Sequence, residues 1–188
     1  MRIVVGVSGA SGIALAERLL EALKKAKAET HLVVSETAEE IRKHEGVGNL
    51  KADHVYNNKD FFGRIASGSF RSDGMIVIPC SMKTLAGIAS GYTDNLLLRA
   101  ADVCLKERRK LVLVARETPL SAIHLENMLR ASRAGAVIMP PVMGFYYRPK
   151  GIGDMVDHTV GKALDLFGIE NKLIKRWEGK GNRRERHG

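Results

Sequence analysis

Five short apolar runs rich in β-branched residues set the fold class: Ile3–Val7, Thr30–Ser35, Met75–Pro79, Leu111–Ala115 and Ala136–Met139. Each is apolar nearly throughout rather than at alternate positions, which marks a strand covered on both faces. Between and after them lie segments in which apolar residues return at helical spacing: Ile13–Lys25, Glu36–His44, Met82–Ser90, Asp94–Arg109, Leu120–Arg133 and Ile152–Phe167. Strand–helix alternation of this kind builds an α/β domain, a mostly parallel sheet with helices on both faces joined by right-handed crossovers. Gly46–Asp73 breaks the pattern; with Asn57-Asn58 and Ser67-Gly68-Ser69 it reads as a loop.

The chain of 188 residues is long enough for one well-filled core, and residues 1–178 are expected to form a single α/β domain. No stretch is long and apolar enough to cross a membrane, and no secretory leader is evident. Cys80 and Cys104 each sit in apolar surroundings without the spacing of a metal site, so two buried thiols in a cytoplasmic protein are expected. The net charge of +9 suits an anionic ligand and is densest in the last residues, where 179–188 form a basic tail. That tail reads as a solvated terminus or an RNA contact. With aromatics at 5 %, base-stacking platforms are not expected and nucleic acid is not the expected partner.

In open α/β sheets ligands bind beyond the carboxyl ends of the strands. Strand one runs into Gly9-Ala10-Ser11-Gly12, a turn that presents amides and a helix N-terminus to an anion. Its spacing is neither the dinucleotide fingerprint nor a Walker loop, so a mononucleotide phosphate is expected, with FMN the leading candidate. Strand two ends at Ser35. Strand three leads to Pro79-Cys80-Ser81-Met82-Lys83-Thr84, where Ser81 and Thr84 are placed as an N-cap or as ligand donors. Strand four leads to Arg116-Glu117, followed by Thr118-Pro119, which reads as a cap with proline at the first helical position. Arg99, Asp102 and Lys106 share one helix face, as a solvated stripe or a phosphate clamp. Tyr146 lies between Pro141 and Pro149 as packing or a hydroxyl donor, and His124 reads as a capping or core histidine.

Taken together, Gly-Ala-Ser-Gly, Pro-Cys-Ser-Met-Lys-Thr, Asp94-Asn95-Leu96 with Arg99-Ala100-Ala101-Asp102, Leu105-Lys106-Glu107-Arg108-Arg109, Arg116-Glu117-Thr118-Pro119 and His124-Leu125-Glu126-Asn127-Met128 resemble the UbiX family of flavin prenyltransferases, from about Ile3 to Trp177. The resemblance implies a Rossmann-like, flavodoxin-type three-layer sandwich in a homo-oligomer, a dodecamer, with FMN near a subunit interface. It implies transfer of a dimethylallyl group from dimethylallyl monophosphate to N5 and C6 of reduced FMN, without a metal. The prenylated flavin would pass to a UbiD-type decarboxylase.

Carried over by position, Gly9, Ala10, Ser11, Ser35, Ser81, Met82, Lys83, Thr84 and Arg116 would hold FMN. Ser67, Tyr146, Lys162 and Trp177 would bind the prenyl donor, and Glu45, Glu117, Arg99 and Lys106 would carry the chemistry. Lys162 stands where relatives often carry arginine, and Ile65-Ala66-Ser67-Gly68-Ser69 departs from the family's Pro-Ala-Ser-Gly-Ser. A flavin-dependent cysteine-type decarboxylase is the rival reading, but the histidine after strand two and the Pro-x-Met-Asn motif of that group are missing. A non-enzymatic FMN carrier is the third.

Overall fold

The computed structural model describes residues 1–174 and 176; Trp177 and the tail 179–188 lie outside the described residues. The strands are β1 (Arg2–Val7), β2 (Glu29–Val34), β3 (His54–Asn57), β4 (Gly74–Cys80), β5 (Lys110–Ala115) and β6 (Ala136–Ile138). The helices are α1 (Ile13–Lys25), α2 (Glu36–His44), α3 (Met82–Ser90), α4 (Leu96–Lys106), α5 (Ala122–Arg133) and α6 (Ile152–Leu166), with one short 3₁₀ turn at Arg64–Ala66. All neighbouring strands pair in parallel, in the order β3-β2-β1-β4-β5-β6.

The continuous apolar strands divide their side chains between two cores. Ile3, Val5, Val7, Ile76, Ile78, Val112 and Val114 face α1 and α6. Their alternates Val4, Met75, Val77, Leu111 and Leu113 face α3 and α4. Period-two alternation thus explains why these strands carry no polar face: both faces are roofed by helices. The three-layer reading holds.

Two expectations are corrected. Inside the segment expected to be a loop, His54–Asn57 forms β3 and pairs in register with His31–Val34 at the sheet edge. One of its faces is exposed, which hid it from a search for continuous apolar runs. Thr118 does not cap a helix: α5 begins at Ala122, and Ser121 caps it by accepting from the His124 amide at 3.2 Å. His124 Nδ1 in turn accepts from the Ser121 amide, so this histidine is part of the cap.

Candidate active site

The strand order reverses direction between β1 and β4, the place where open α/β sheets bind ligands. A cavity of about 310 Å³ opens there, on the scale of small-molecule sites. Gly9 after β1, Ser35 to Thr37 after β2, Asn58 after β3, Ser81 to Thr84 after β4 and Glu117 after β5 line it, joined by Asn95 and Leu98 of the neighbouring helix.

Local chemistry fixes these positions. Ser35 accepts from the Ala38 amide at 3.2 Å and Ser81 from the Thr84 amide at 3.3 Å, so both serines are N-caps. The first turns of α2 and α3 therefore open into the crevice with amides that have no partner inside their helices. Buried Ser8, which the sequence reading passed over, sets the Ser81 turn: its hydroxyl accepts from the Ser81 amide at 2.8 Å and donates to the Pro79 carbonyl at 3.2 Å. Asn58 does the same for α4, its side-chain oxygen and its carbonyl accepting from Leu97 and Leu96 amides at 3.0 and 2.8 Å. A Cβ added at Gly9 would stand 2.7 Å from Thr37 Cγ2, so glycine there lets the chain pass close beneath α2.

The head of α1 has an internal partner. Its leading amides, Gly12 and Ile13, donate at 2.9 Å each to the two carboxylate oxygens of Glu45. Burial pushes the Glu45 carboxyl upward, but bonds from Ser11, Gly12 and Ile13 and the charge of Arg116 outweigh it and hold it below the ordinary range. An internal carboxylate thus occupies the end of α1, and the helix first turns that line the crevice are those of α2 and α3. Arg116 Nε is buried without a hydrogen-bond partner among the described residues. A buried guanidinium donor left over beside the strand ends calls for an acceptor.

The remaining expected residues fall into separate groups. Ala10 is buried and Ser11 serves Glu45. Arg99 donates to the Ala66 carbonyl at 3.1 Å and pairs with Asp102 at 2.6 Å, beside Ser67. Lys106 pairs with Glu107 at the last turn of α4 and its Nζ stands against Gly68, so Arg99 and Lys106 both border the loop that carries Ser67. Seven helical residues separate Arg99 from Lys106, about 10 Å along the axis and away from the crevice. Exposed Tyr146 meets the rings of Tyr147 and His158 edge-on at 5.3 and 5.7 Å, and Lys162 follows His158 by one turn of α6. Neither Tyr146 nor Lys162 lines the crevice.

The donor set fits a flavin mononucleotide: hydroxyls and helix amides for phosphate and ribityl oxygens, and the buried Arg116 Nε–H for a carbonyl or phosphate oxygen. Residues 1–164 match the flavoprotein family. A probable UbiX-like flavin prenyltransferase of Sedimentibacter hydroxybenzoicus is 53 % identical over 186 residues, 95 % of this chain and 98 % of that one. The flavin prenyltransferase UbiX of Methanocaldococcus jannaschii is 49 % identical, covering 94 % and 98 %.

This chain belongs to the UbiX-like flavin prenyltransferase family.

The solved structures agree. A UbiX protein in complex with FMN and dimethylallyl pyrophosphate superposes with a TM-score of 0.92 at 53 % identity, over 95 % of this chain and 97 % of that one. A dodecameric FMN-dependent UbiX-like decarboxylase from Escherichia coli gives 0.92 at 51 % identity, over 95 % and 100 %. The rival cysteine-type group stands much further off: a PPC decarboxylase, 19 % identical at a TM-score of 0.60, shares the fold alone with this UbiX-like chain.

Proposed function

We propose that this protein joins the dimethylallyl group of dimethylallyl monophosphate to N5 and C6 of reduced FMN, and that a UbiD-type decarboxylase receives the product. The observation that carries this reading is the crevice at the β1/β4 switch point, which gathers Gly9, Ser35, the Ser81–Thr84 turn and Glu117. Reduced FMN, when bound, supplies the nucleophile. The protein's part is to hold it, to stabilise the leaving phosphate and to take up a proton.

The first turns of α2 and α3, with Ser35, Ser81, Met82, Lys83 and Thr84, receive the cofactor; Arg116 gives a fixed positive charge beside them. As the donor's allylic C–O bond breaks, its electron pair leaves with phosphate, so the departing group gains charge that cations must meet. Glu117 lies exposed on the crevice lining, and in this reading it accepts the proton displaced from C6 at ring closure. Glu45, kept ionised, fixes the Gly9–Gly12 turn.

Neither Arg99 nor Lys106 lines the crevice of its own chain, and in this reading both serve the donor phosphate from a neighbouring copy. Exposed apolar side chains favour such a homo-oligomer, a dodecamer as in the Escherichia coli relative. Along α5, Ile123 is 69 % exposed and Leu129 50 %, and Ile152 opening α6 is 80 % exposed, side chains that contact between copies would cover. Ser67, Tyr146, Lys162 and Trp177 complete the donor site in this reading. Among the described residues no helix is long and apolar enough to cross a membrane. Both cysteines are free and buried, as in a reducing cytoplasm.

The test is anaerobic incubation of the protein with reduced FMN and dimethylallyl monophosphate, followed by mass analysis of the released flavin. A protein-dependent gain of one five-carbon prenyl unit is expected. Unmodified FMN with intact donor would refute the reading and leave a flavin carrier.

A further inference from the structure

At the edge of the sheet, upstream of the crevice, two histidines and a glutamate converge. Glu29 and His31 lie two residues apart on β2 and so share one face of the sheet. The parallel register sets His54 of β3 directly beside His31. That register brings the two imidazoles into a stack with centroids 4.6 Å apart, close to the spacing of neighbouring strands. Glu29 Oε1 lies 3.0 Å from His31 Nε2 and 3.5 Å from His54 Nε2. One ligand atom from each of the three residues falls within 4.8 Å of the others.

We infer that Glu29, His31 and His54 form a binding site for a divalent transition ion of the zinc class. Two imidazoles and a carboxylate are the donors such ions favour, as against the all-oxygen shells of magnesium and calcium. At zinc–ligand distances near 2.0–2.1 Å, tetrahedral donors stand about 3.3 Å apart, and the two distances from Glu29 bracket that value. Three protein ligands leave a fourth position for water, which the exposed edge of β3 supplies.

The surroundings hold the ligands as an outer shell does. The His31 side chain is fully buried, and its Nδ1 lies 2.8 Å from the Tyr56 hydroxyl. Because the ionised Glu29 carboxylate can only accept, a neutral His31 would donate to it from Nε2–H while Nδ1 accepts from Tyr56. With the ion on Nε2, the proton moves to Nδ1 and donates to the Tyr56 oxygen, so His31 stays neutral and fully bonded. The second Glu29 oxygen accepts from Arg2 Nε at 2.9 Å, which turns the first oxygen toward the histidines. The stacked ring planes are 21° apart, so one ring must rotate to aim its lone pair at a shared ion. His54 has the room, with its side chain 41 % exposed on an edge strand. Arg2 sets a limit on affinity, since its charge opposes the incoming cation.

The site is separate from the flavin chemistry. His31 precedes Ser35 of the crevice by four residues, about 13 Å along an extended strand. The ion therefore serves as a clasp between β2 and the edge strand β3, and prenyl transfer does not pass through it.

The experiment titrates the full-length protein with zinc against a chromogenic chelator, and with cobalt(II) followed by visible absorption. One ion per chain is expected, with cobalt bands of four-coordinate intensity. The variants His54→Ala and Glu29→Gln, both at half-exposed side chains, should each weaken binding about tenfold or more. His44→Ala, an exposed histidine on α2, should not. Circular dichroism and FMN binding confirm that each variant is folded. Zinc bound equally by His54→Ala and its parent, or bound by the parent no more tightly than by His54→Ala/Glu29→Gln, overturns the proposal and leaves a proton-sharing Glu–His–Tyr network.

Discussion

Replacing Glu45 by glutamine tests how the crevice is held. The native carboxylate accepts from the Gly12 and Ile13 amides at 2.9 Å each, at the positive end of α1. Glutamine keeps one good acceptor, so the variant loses one hydrogen bond and the attraction between a full charge and the helix dipole. The first is worth about 0.5–1.5 kcal/mol and the second about 0.3–1 kcal/mol, together about 0.8–2.5 kcal/mol. For a domain of this size that corresponds to a fall in Tm of about 2–10 °C at neutral pH. The sign with pH is fixed by the direction of the shift. The folded carboxyl titrates below its ordinary value of 4.5, so its stabilisation is complete above the unfolded pKa and disappears as pH falls through the folded one. The assay is thermal unfolding of parent and variant at equal protomer concentration from neutral pH to well below the ordinary carboxyl value of 4.5. A gap that is constant near neutrality and closes in acid is expected. Equal Tm values at pH 7, or a gap that widens in acid, would refute the capping role.

Gly9→Ala should weaken FMN binding at least about tenfold, read by flavin fluorescence quenching, because its Cβ meets Thr37 Cγ2 at 2.7 Å. Adding Thr37→Gly should restore much of the loss, a coupling expected only if the two positions touch. Glu117→Gln should keep FMN affinity and slow prenyl transfer by about a hundredfold; unchanged turnover would remove Glu117 from the proton step. Burial pushes the Cys80 and Cys104 thiols up to about 12, so both should resist iodoacetamide at pH 8 in the native protein and react in denaturant.

Those parts of the fold governed by local pattern were legible in the sequence. The four longer core strands and six helices appeared at nearly their observed limits, because apolar runs roofed on both faces need no partner to be recognised. The edge strand β3 was hidden by its composition, His-Val-Tyr-Asn, in which Val55 faces solvent and His54 and Tyr56 are half-buried. The topological rule pointed to Gly9, Ser35, Ser81 to Thr84 and Glu117, which line the crevice, but not to Thr37, nor to Asn58, since β3 was not among the expected strands. Glu45 was carried over as a carboxylate near the reacting atoms, yet its place on α1 spans 33 residues and depends on how α2 returns to the sheet. Ser8 gave no signal, for a buried serine beside valines looks like strand until its hydroxyl is seen on the Ser81 turn. The separation of Lys106 from the crevice was readable in principle, since helix rise alone sets it.

That separation has a consequence for how the catalyst can be broken and repaired. A chain carrying Glu117→Gln and a chain carrying Lys106→Met are each expected to be poor enzymes on their own. When Lys106 works in the crevice of another copy, mixing the two after mild dissociation creates some crevices with both groups intact. Activity then returns in a preparation whose every polypeptide is defective. When each chain is self-sufficient, the mixture stays as inactive as its parts.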